Sequence, residues 1–130
     1  MNFKGKAKRL RIYIGDEVYH KEKPLYRAIL EEARKLNIAG GTVFKGLEGY
    51  GAHTRLIRAN RLFELSSDLP LVVEFVEQED KLREIGDFLR RTLTKGLVTI
   101  EDVEVLGYGV RQTGGDDRVA PDDKKNNDAL

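Results

Sequence analysis

Between residues 10 and 106 the spacing of hydrophobic residues passes from two to three-and-four and back, twice over. Leu10, Ile12 and Ile14 alternate with Arg11 and Tyr13, which is a strand pattern ended by Gly15-Asp16. After a polar stretch, Pro24 suits the first turn of a helix. Leu25, Ala28, Ile29, Ala33 and Leu36 then recur at helical spacing, so a helix is predicted over 24–37, closing near Asn37. Thr42-Val43-Phe44 starts a second strand reaching towards Tyr50. Gly46, Gly49 and Gly51 punctuate it, and glycines in a strand mark a bulge or a close backbone approach. Leu71 to Val76 reads as a third strand, apolar on both alternating sets except at Glu74. Glu79-Asp80 opens a second helix with the stripe Leu82, Ile85, Leu89 and Leu93, and Gly96 is expected as its left-handed cap. Val98, Ile100, Val103 and Val105 form a last strand over about 98–106.

The order βαβ–βαβ in so short a chain is met most economically by an α+β, ferredoxin-like sandwich. Its four-stranded antiparallel sheet would carry two helices on one face. Residues 8–107 would form this domain, after a basic lead-in over 1–7 and before a flexible polar tail over 108–130. Two helices leave one sheet face open. Because both sets of the third strand are apolar, that face is expected to meet another subunit; cover by residues 52–69 or the tail is the alternative.

Charge and composition remove several functions. The 130 residues carry 23 Lys plus Arg against 22 Asp plus Glu, too balanced for bulk nucleic-acid binding. Tyr13 and Phe75 are candidate stacking aromatics, but no RNA-recognition signature accompanies them. There is no cysteine, so disulfides, Cys-ligated metals and Cys nucleophiles are excluded, and His20 and His53 are the only histidines. No apolar run approaches the roughly 18 residues of a membrane helix, and no signal-peptide pattern follows the basic N-terminus. A cytoplasmic protein with no membrane insertion is expected.

The segment 45–61, KGLEGYGAHTRLIRANR, holds Lys45, His53, Arg55, Arg58 and Arg61 against one acid, Glu48. Glycine backbone can offer N–H groups to an anion, and guanidinium forks match phosphate oxygens. A small phosphate-bearing ligand is the sharper reading; pairing with acids across an interface, or simple solvation, is the blander one. Arg55, Arg58 and Arg61 lie three apart, so a helical turn would place them on one face. No nucleophile, metal or dinucleotide motif appears. Glu101-Asp102 would point to opposite sides of a strand and make a poor acid–base pair. No catalytic activity, catalytic residue, bound metal or required cofactor is expected.

Lys23-Pro24-Leu25-Tyr26, Ala39-Gly40-Gly41-Thr42-Val43-Phe44-Lys45-Gly46 and Gly49-Tyr50-Gly51 resemble the family catalogued as domain of unknown function 190. Leu65-Ser66-Ser67-Asp68-Leu69-Pro70 and Gly96-Leu97-Val98-Thr99 resemble it too, in the same order, over about residues 8–106. The resemblance implies a PII-like fold: a ferredoxin-like protomer assembled as a homotrimer, with adenine nucleotides in clefts between protomers. It implies that residues 50–69 take the place of the partner-binding loop of PII proteins, with Gly49 and Gly51 as its hinge. The glycine-rich phosphate loop of PII proteins is cut here to Thr94-Lys95-Gly96-Leu97. Arg111-Gln112-Thr113-Gly114 is similar to the Arg-x-Thr-Gly that follows the last PII strand and helps hold phosphate.

The expectation is therefore a PII-like signalling protein that binds a small anion, foremost an adenine nucleotide, and engages a partner protein through loop 50–69. Lys45, Gly49, Gly51, His53, Arg55, Arg58, Arg61 and Arg111 are the candidate ligand residues. A ligand-free adaptor trimer like CutA, or a phosphate-ester enzyme using His53, are the other readings.

Overall fold

The computed structural model describes residues 5–51, the backbone of 57–58, and residues 69–109. Its elements are β1 (Gly5–Gly15), β2 (Tyr19–His20), β3 (Lys23–Pro24), α1 (Leu25–Lys35) and β4 (Gly41–Lys45). There follow β5 (Glu48–Gly49), β6 (Ile57–Arg58), β7 (Pro70–Glu77), α2 (Glu79–Thr92) and β8 (Leu97–Val105). The main sheet has the order β4-β7-β1-β8 and is antiparallel throughout. This is the ferredoxin-like arrangement that the hydrophobic spacing predicts.

Alternation sends Leu10, Ile12 and Ile14 of β1, and Leu71, Val73 and Phe75 of β7, to the helix side. There they meet Leu25, Ala28, Ile29 and Ala33 of α1, and Leu82, Ile85, Phe88 and Leu89 of α2. Phe75 is buried in this core, which removes it as a stacking aromatic. On the other face, Arg11 Nε donates to Glu74 Oε1 at 2.8 Å, and Arg9 Nε donates to Glu101 Oε1 at 3.0 Å. Asp102 turns the other way and pairs with Lys8, as the strand reading of Glu101-Asp102 requires.

α1 ends as predicted near Asn37, and the cap geometry explains why. Asn37 takes φ +61°, its N–H donates to Arg34 O, and Ile38 N–H donates to Ala33 O at 3.0 Å. That is a Schellman motif, with Ala33 and Ile38 both buried in the core. Pro24 falls just before the helix rather than inside it, because its backbone is extended and pairs with Tyr19. Gly96 is not the cap of α2, which stops at Thr92 with Leu93 extended. It takes φ +147° where β8 sets off beside β1, and a Cβ there would lie 2.8 Å from the Tyr13 carbonyl oxygen.

β8 departs most from its expected environment. Val98 and Ile100 point to the helix side, yet are 38% and 52% exposed. β8 is an edge strand, and two helices on a four-stranded sheet do not reach over it.

A candidate ligand groove at the foot of the β4–β7 excursion

Lys45 closes β4 opposite Leu71 and stands on the helix-side face with Val43. At this end of the sheet lies an open groove of about 290 Å³, lined by Asp16, Pro24, Tyr26, Val43, Lys45 and Leu71. Five segments meet there: the turn after β1, β3, the start of α1, β4 and β7. Pro24, Val43 and Leu71 supply apolar wall, Tyr26 a phenol, and Lys45 the positive charge.

The groove mouth is also the foot of the excursion from β4 to β7. Asp16 N–H donates to Leu69 O at 3.0 Å, and Leu69 N–H donates to Asp16 Oδ1 at 3.1 Å. The other carboxylate oxygen, Oδ2, lies 3.9 Å from Lys45 Nζ. On the outgoing side, Gly46 N–H donates to Pro70 O at 2.6 Å. A Cβ on Gly46 would lie 2.7 Å from the Pro70 ring, so this glycine marks a close approach, as a glycine in a strand implies. Its N–H is spent inside the protein and is not aimed at the groove.

Of the other candidate residues, Gly49 pairs with Ile57, and Glu48 pairs with Arg58, in a two-residue antiparallel ladder. Residues 57–58 are therefore extended, so the helical turn that would place Arg55, Arg58 and Arg61 on one face does not run through Arg58. Pairing with Glu48–Gly49 satisfies backbone groups that a lone helical turn would leave open, and Ile57 is β-branched. Gly51 is exposed just beyond the ladder. His53, Arg55, Arg61 and Arg111 lie outside the described residues. The structure thus places Lys45 in the groove and Gly49 and Arg58 in the ladder. Asp16, Pro24 and Tyr26 were missed as groove residues; Pro24 and Tyr26 stood in a quoted motif, but Asp16 reads only as a strand stop.

His20 belongs to the β2–β3 hairpin, with its ring edge-on to Phe88 at a 5.7 Å centroid distance. At the opposite end of the sheet, Tyr108 OH donates to the Ala39 carbonyl at 3.0 Å, so the chain past β8 is tied to the α1–β4 connection. Among the described residues no cluster of three or more His, Asp or Glu could hold a metal ion, and no helix is long and apolar enough to cross a membrane.

An antiparallel β4-β7-β1-β8 sheet with two helices on one face and a long excursion between its second and third main strands is a PII-like, ferredoxin-type fold. A solved structure similar to it is CPII of Thiomonas intermedia K12 bound to ADP and bicarbonate. The TM-score is 0.55 at 20% identity, over 81% of this chain and 91% of that one. The chain belongs to the DUF190 family ("Uncharacterized ACR"), whose model matches residues 7–105. A UPF0166 protein of Aquifex aeolicus (strain VF5) is 42% identical over 103 residues, covering 78% of this chain and 94% of the relative. A UPF0166 protein of Methanocaldococcus jannaschii is 32% identical over 101 residues, covering 77% and 92% respectively.

Proposed function

We propose that this chain is a cytoplasmic, non-enzymatic PII-like regulator that binds a small phosphate-bearing ligand, foremost an adenine nucleotide, in the groove at Lys45. In this reading three copies assemble through their open sheet faces, neighbouring subunits complete the groove, and residues 50–69 carry the signal to a partner protein. The observation that carries it is the position of Lys45. It is 62% exposed at the mouth of a groove with apolar walls, beside the tie between Asp16 and Leu69. An apolar wall with one placed cation suits a flat base bearing phosphate. The fold likeness to an ADP-bound protein supports the same ligand class.

Calorimetry with ATP, ADP, AMP and cyclic AMP tests it. At least one nucleotide is expected to bind, and Lys45→Ala to weaken it by about tenfold or more, the cost of losing a charge-assisted contact. Absence of heat with all four, at concentrations that detect micromolar binding, would sink the nucleotide reading.

A further inference from the structure

A ligand at Lys45 can act on the returning end of the β4–β7 excursion through a group that senses both. We infer that Asp16 is that group: it is an internal anion competing with the ligand for Lys45, and ligand binding loosens its hold on Leu69. The inference deepens the proposed function and rests on the groove being an anion site.

The two oxygens of Asp16 have separate duties. Oδ1 accepts the Leu69 N–H at 3.1 Å, while Oδ2 faces Lys45 Nζ at 3.9 Å. The second separation exceeds a direct hydrogen bond, so the pair is held by charge alone. Its partners differ in freedom. The Asp16 side chain is only 20% exposed, and its residue is anchored by its own N–H on the Leu69 carbonyl. Lys45 is 62% exposed on a long flexible stem, so the cation swings more readily than the carboxylate.

A phosphate group brings up to two negative charges and oxygens that can approach to hydrogen-bond distance. It therefore outcompetes a single carboxylate at 3.9 Å. Once Lys45 turns to the ligand, Asp16 loses the Lys45 charge and faces a new negative charge across the groove. The carboxylate orientation that kept Oδ1 on the Leu69 N–H is then no longer favoured. The two states differ in which anion holds Lys45, and ligand shifts the population between them.

The test uses the full-length protein with two probes, ADP and inorganic pyrophosphate, and two variants, Asp16→Asn and Lys45→Met. The asparagine keeps an oxygen for the Leu69 N–H and removes the competing charge. Asp16→Asn is expected to bind both probes roughly three- to tenfold tighter, in the range for removing one nearby like charge. In ligand-free protein, Lys45→Met is expected to speed hydrogen exchange at the Leu69 amide. ADP should do the same in the parent protein and not in Asp16→Asn. Binding that is unchanged or weaker in Asp16→Asn, or a Leu69 amide indifferent to ligand, would overturn the coupling and leave the anion site standing. Pyrophosphate binding without ADP binding would remove the adenine reading; the coupling then stands if pyrophosphate speeds exchange at the Leu69 amide and binds Asp16→Asn more tightly, and falls if it does not. Failure of both probes to bind would overturn the site and the coupling together.

Discussion

Gly41 shows what one absent side chain does for this core. A Cβ there would lie 2.4 Å from the Phe75 ring, and Phe75 is among the most deeply buried side chains. The strand can pass at that distance only because position 41 is bare. Gly41→Ala is expected to cost about 1–3 kcal/mol, the range for overpacking a filled core, measured as a lower urea midpoint with unchanged slope. Glu77 makes the complementary case. It is the buried charged side chain among the described residues, at 1% exposure, and it is satisfied twice. Its Oε1 accepts the Ala39 N–H at 2.8 Å and its Oε2 accepts the Gln78 N–H at 2.9 Å. It thereby ties the α1–β4 connection to the start of α2, and the carbonyl of the same Ala39 receives Tyr108 OH. Glu77→Ala should cost about 1–3 kcal/mol through the stranded N–H groups, read in the same denaturation experiment.

Among the elements, the β2–β3 hairpin carries visible strain. Lys21, between its two strands, takes φ +58°, a left-handed conformation that disfavours a side chain. Lys21→Gly relieves that strain at some cost in unfolded-chain entropy, so a net gain of about 0.5–1 kcal/mol is expected as a higher melting temperature. The β1–β8 seam is electrostatic. The hydrogen bond from Lys8 holds the Asp102 carboxyl below the ordinary carboxylate range, and the same bond holds Lys8 above the ordinary lysine range. The hydrogen bond from Lys23 likewise lowers Glu31. A lowered carboxylate contributes stability that is present above its unfolded pKa and lost as pH falls through the lowered value. A raised lysine contributes below its unfolded pKa and loses that contribution as pH rises through the raised one. These pairs lie at the surface, so the effects are small and screened by salt. Stability should therefore decline below about pH 4, less steeply in Asp102→Asn, as followed by urea unfolding across pH.

At the scale of the whole molecule, the sheet face away from the helices has two textures. Arg9, Arg11, Glu74 and Glu101 pair across its middle, while Tyr13, Val72, Phe44 and Leu97 share its end beside the groove. Phe44 is 50% exposed in the single chain, and burying such rings is the usual reason for association. Phe44→Asp is expected to shift sedimentation from the proposed trimer to monomer. A trimer that survives it would place the interface elsewhere.

Strand and helix order were legible because side-chain period is a local property: Leu10, Ile12 and Ile14 face one way in any strand, and Leu82, Ile85 and Leu89 in any helix. Lys45 was legible as a candidate cation, because charge is written in the residue itself. The exposure of Val98 and Ile100 was not, since periodicity says which way a side chain points and not whether anything lies there. Nor was the Asp16–Leu69 tie, whose partners stand 53 residues apart. The amino-acid order alone determined which elements form and in what sequence. Only the tertiary structure decided that the end of β1, the end of β4 and the start of β7 meet. That juxtaposition comes from the sheet order, and it makes one aspartate the neighbour of both a candidate ligand cation and the returning chain.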